Sequence, residues 1–110
     1  MATATYKILG QSAPSATTET DLYTVPASTE TIVSTIMVAN RSATDATFRI
    51  SVSPNGAATA NKDYIAYGVT CPGNGLYSFT LGLTIDATDK IRVYASSGDL
   101  SFSAFGSEIA

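Results

Sequence analysis

Carboxylates, six tyrosines and a single thiol are the side chains from which this 110-residue sequence could build a reactive site, for it contains no histidine and no tryptophan. The missing histidine removes the commonest general base and metal ligand, which excludes Ser-His-Asp hydrolases and imidazole-bound metals. Cys71 is the one cysteine. It can form no intrachain disulfide, cannot assemble a zinc site and has no basic neighbour to activate it, so an inert loop or edge thiol is expected.

Asp86 and Asp89 form an acidic pair that could hold calcium, with help from Asp63 or Asp99. The dense alternating carboxylates of a calcium loop are absent, and Asp86 to Asp89 reads as a turn. The remaining acids, among them Glu19, Glu30 and Glu108, are scattered, whereas glycoside hydrolysis needs two carboxyl groups facing one cleft. Tyr64 and Tyr67 are the candidate sugar-stacking pair, set against the commoner role of tyrosine as a packing residue at the rim of a sheet core. Asn40-Arg41-Ser42 fits the glycosylation acceptor pattern, but the sequence shows no secretory leader to give it use. No catalytic residue, no cofactor and no metal ligand is expected.

Charged residues make up 14% of the chain against about 25% in ordinary soluble domains, so serine and threonine supply most of the polar surface. A net charge of -3 offers no footprint for nucleic acid or an anionic membrane. The first residues, MATATYKILGQSAP, lack the basic head and apolar block of a signal peptide, and no run approaches the roughly 18 apolar residues of a membrane span. Synthesis in a host cytoplasm is expected, with residues 1–110 forming a single domain.

The elements that must position these side chains are strands. Thr31 to Asn40, TIVSTIMVAN, is apolar on both alternations, with Ile32, Ile36 and Val38 on one face and Val33, Met37 and Ala39 on the other, as in a central strand. Thr47 to Ser53 alternates cleanly, Phe48, Ile50 and Val52 inward. Thr5 to Leu9, Asp21 to Val25, Asp63 to Tyr67, Leu76 to Leu81 with a bend at Gly82, Lys90 to Ala95 and Leu100 to Phe105 are the other strand candidates. Gln11 to Thr20 and Gly68 to Gly75 read as loops. About eight strands without a helical period predict an all-β antiparallel sandwich; spacing alone does not separate a jelly roll from an immunoglobulin-like topology. Residues 1–20 read as either an extended arm or an edge strand. Val33 with Met37, and Phe105 with Ile109, make second faces too apolar for a solvated monomer, and these four are the candidate interface residues.

The phrases DLYTVPAST, TIVSTIMVANRSATDATFRISVSPNG, YIAYGV, FTLGLTIDATDKIRVYAS and LSFSAFGSEI resemble small structural proteins of tailed-phage virions, including those of cyanophages. The similarity runs from about Tyr6 to Ile109 and contains no catalytic motif. It implies a capsid decoration (cement) protein, a homotrimer bound to the major capsid protein of the expanded head. The alternatives kept open are a tail, baseplate or fibre component and, from another class, a carbohydrate-binding adhesion module.

Overall fold

In the computed structural model, residues 3–110 are described, and Met1 and Ala2 of the N-terminal segment lie outside that range. The strands are β1 (Ala4–Ser12), β2 (Thr20–Thr24), β3 (Glu30–Asn40), β4 (Ala46–Ser53), β5 (Tyr64–Cys71), β6 (Leu76–Ile85), β7 (Lys90–Ala95) and β8 (Leu100–Ile109). Two short 3-10 turns, Pro54–Gly56 and Asn61–Asp63, lie between β4 and β5. Sheet A has the order β1-β8-β3-β6 and sheet B the order β2-β7-β4-β5, with antiparallel pairing throughout.

That order decides the topology. Each strand pairs with its mirror image in the sequence, β4 with β5, β3 with β6, β2 with β7 and β1 with β8. The chain is thus one long hairpin, rolled up so that β8 also pairs with β3 and β7 with β4. This is the jelly roll and not the immunoglobulin arrangement. Backbone hydrogen bonds exchanged between Thr3 and Ala110 extend the outermost pair.

Alternation supplies the core. Phe48 and Ile50 of β4, Ile91 of β7, Leu100 and Phe102 of β8 and Ile36 of β3 are fully buried between the sheets. Phe48 packs edge-on against Phe102, Phe79 and Tyr77 at centroid distances of 6.0, 5.9 and 5.8 Å. These pairings add specific geometry to burial that by itself is worth about 2 kcal/mol per large side chain.

In β3 the simple two-residue alternation fails. Against β8 the register shifts between Val33 and Thr35 with Ser34 as the extra, bulged residue, whereas against β6 two residues, Leu81 and Gly82, oppose Ser34; its hydroxyl bonds to the Phe105 carbonyl at 3.1 Å. An extra residue exchanges the faces of everything beyond it. Val33 therefore joins Ile36 and Val38 in the core, all three completely buried, while Ile32 turns outward. The grouping of Ile32 with Ile36 and Val38 expected from sequence is corrected accordingly.

Two loop readings also change. Gly68 does not open a loop but lies within β5 at φ +67°, and Cys71 ends that strand with its side chain buried in the core. The strand continues because the left-handed conformation at Gly68 absorbs a register shift and returns Cys71 to the inner face. β1 likewise runs on to Ser12, with the register shift between Ile8 and Gly10 bringing Leu9 into the core.

Candidate docking surfaces

The carboxylates do not converge. Asp89 accepts hydrogen bonds from the Asp86 and Asn55 amides at 2.9 and 2.8 Å, and Asp86 accepts from the Ala87 amide at 2.8 Å, which is turn chemistry. Asp63 accepts from the Ala60 amide at 2.9 Å, a bond that holds its carboxyl below the ordinary range. No cluster of three or more metal-ligating side chains occurs among the described residues. Burial pushes the Cys71 thiol up, away from reactivity. Asn40, the acceptor of the glycosylation pattern, is buried and holds the Thr44 and Cys71 carbonyls through its amide nitrogen. That side chain is not presented to an enzyme.

The outer face of sheet B carries charged groups that are internally paired, beside the exposed Ile65 and Tyr67 of β5. Asp21 binds Lys90 at 2.8 Å and Arg92 at 3.1 Å, and the Lys90 contact above all holds its carboxyl below the ordinary value. Arg92 also donates to Ser53, Thr59 and the Ala57 and Gly56 carbonyls, stitching the loop after β4 to the sheet. Arg49 lies between two rings, 4.4 Å from the centroid of Tyr67 and 4.3 Å from that of Tyr94. These three are directly opposite one another on β5, β4 and β7. Tyr64 meets Tyr67 at 84°, with centroids 4.9 Å apart. Tyr64 and Tyr67 therefore build no flat shared platform, and a face of Tyr67 is already covered by a guanidinium, so the stacking surface a sugar requires is not formed by this pair.

Sheet A presents the opposite chemistry. On its outer side β8 offers Ser101, Ser103, Phe105, Ser107 and Ile109, and β3 offers Ile32, Thr35, Met37 and Ala39 opposite them. β1 contributes Tyr6 and Ile8, which are 85% and 54% exposed. Of the outward-facing strand residues only Glu30, at the first position of β3, is charged. Tyr6, Ile32, Phe105, Ile109 and the charged Lys7 at its margin line an open depression of about 500 Å³. At its floor Ser107 is buried, and its Oγ has no hydrogen-bond partner among the described residues.

Of the four interface residues expected from sequence, the structure brings Met37, Phe105 and Ile109 together on this face, each partly exposed, and places Val33 in the core. The residue that takes the outward place is Ile32, 40% exposed. Tyr6, Ile8 and Ser107 were not singled out by sequence. The signal was present for Ser107, which shares the alternation of Phe105 and Ile109, whereas Tyr6 and Ile8 become part of the face only once β1 is known to pair with β8.

The two sheets meet in a small network at one end of the sandwich. Tyr23 bonds through its hydroxyl to Thr31 at 2.8 Å and to Glu108, and Lys7 pairs with Glu108 at 2.9 Å. Burial, together with the Glu108 contact, pushes the Tyr23 hydroxyl up to about 12, while Tyr23 and then Lys7 hold Glu108 below its ordinary range.

No family model and no curated protein matches this sequence. Solved structures do. A chain of the T13 particle of infectious bursal disease virus superposes at a TM-score of 0.59 with 10% identity, over 98% of this chain and 30% of that one. A chain from the acid-stable capsid of Helicobacter pylori bacteriophage KHP30 superposes at 0.52 with 11% identity, over 100% of this chain and 94% of that one. The coat protein of Tobacco streak virus gives 0.52 and 8% identity, over 99% and 85%. The protein thus shares its fold with chains of virus particles, and it spans under a third of the infectious bursal disease virus chain.

Proposed function

We propose that this protein is a structural component of a virion, specifically a capsid decoration protein. It would bind the major capsid protein of the expanded head through the outer face of sheet A. The observation that carries the reading is the chemistry of that face. It is half apolar and half hydroxyl and carries few charges, whereas the charged groups of the other face are paired within it. Docking onto a shell covers such a surface. The fold shared with virus-particle chains supports the setting, and Met37, Phe105, Ile109 and Ile32 are the proposed contacts.

The mechanism requires no chemistry. A protein that binds the expanded lattice and not its precursor stabilises the expanded state by mass action, opposing the pressure of packaged DNA. Quantitative mass spectrometry of purified particles tests the reading. Copies in a simple ratio to the major capsid protein, in the hundreds, are expected; a few dozen or fewer would move the protein to the tail or baseplate, and absence from particles would overturn a virion role.

A further inference from the structure

The four strands at the sheet edges are not equally protected. β1 carries Lys7 and a register shift at Leu9, β2 has five residues and an ion-paired Asp21, and β5 has two register shifts. Features of this kind keep an edge from templating another strand. β6 lacks them over its first half. Its ten residues, LYSFTLGLTI, include no charge and no proline, and Leu76 to Thr80 pair with β3 without interruption. Beyond the β3 ladder, no backbone hydrogen bond among the described residues uses this strand.

We infer that β6 is a self-association edge, at which a second copy of this chain adds its own β6 antiparallel about a two-fold axis at Ser78. Only a strand can satisfy a row of open N–H and C=O groups, and the side-chain order favours this one. With Ser78 opposite its own counterpart, each Tyr77 faces the partner's Phe79 on the inner side and each Leu76 faces the partner's Thr80 on the outer side. Both aromatic pairs extend a cluster that already reaches the edge, where Tyr77 and Phe79 stand 4.8 Å apart and Tyr77 is 38% exposed. No charge opposes a like charge across the axis. The result is an isologous dimer with one continuous eight-stranded sheet, and it does not depend on the capsid reading.

Sedimentation of the purified chain from micromolar to millimolar concentration tests this. A dimer fraction rising with concentration is expected. Ser78 is exposed, so Ser78→Lys should fold with an unchanged melting temperature yet weaken the dimer by roughly tenfold or more, because two lysines meet at the axis. Ser78→Glu should do the same, and mixing the two variants should restore association as a heterodimer. A chain monomeric at every concentration would overturn the inference, as would a trimer or dimer that Ser78→Lys leaves intact.

Discussion

Arg49 shows what one side chain contributes when two neighbours are set across from it. Each exposed cation–π contact is worth about 0.5–1 kcal/mol, so Arg49→Ala should lower unfolding stability by about 1–2 kcal/mol in urea titration, and Arg49→Lys should recover only part, because an ammonium cannot lie flat between two rings. Glu108 gives stability an acid-side dependence. Its folded-state carboxyl titrates below that of the unfolded chain, so its contribution is full above the ordinary value of 4.5 and is lost as pH falls through the folded value. Glu108→Gln should flatten that part of the acid limb while leaving the share due to Asp21, which shifts in the same direction. On the alkaline side Tyr23 acts with the opposite sign. The unfolded phenol releases its proton near pH 10 and the folded one at about 12, so stability should decline across that interval, and Tyr23→Phe should remove the decline.

Among the elements, β3 has the greatest leverage, since Ser34 sets its phase against β8 and decides which of its side chains enter the core. Deleting Ser34 would force either Val33 or the pair Ile36 and Val38 out of the core, and the domain should fail to fold. Ser34→Ala keeps the residue count and loses one exposed hydrogen bond, at a cost of about 1 kcal/mol or less; circular dichroism and urea titration of the two variants separate the effects. The same bulge marks where sequence stops being informative. The faces of β4, β7 and β8 were readable because Phe48, Ile50, Ile91, Val93, Leu100 and Phe102 follow an unbroken period of two. An inserted serine in a run that is apolar on both sides leaves no trace in composition, so Val33 and Ile32 exchange roles unannounced. Gly68 misled for the complementary reason. A glycine that breaks a loop and one that bulges a strand look alike until a partner strand fixes the register.

At the level of the whole molecule, the two sheets divide the surface into one face paired within itself and one left open. Phe105 lies on the open face above no core contact that its removal would break, so Phe105→Glu should change melting by only a few degrees while abolishing co-sedimentation with expanded, undecorated shells. Equal retention of the variant on shells would remove sheet A as the docking surface. The rolled hairpin has a further consequence, in time rather than in space. β8 is made after the other seven strands, yet it lies inside sheet A, with β1 on one side and β3 on the other. Until the ribosome has made those ten residues, β1 has no partner strand and β3 has only β6, and the edges β8 will fill are exposed to every other nascent chain nearby. The domain is therefore completed only when β8 appears, and conditions that slow synthesis through β8 should increase its losses to aggregation before folding.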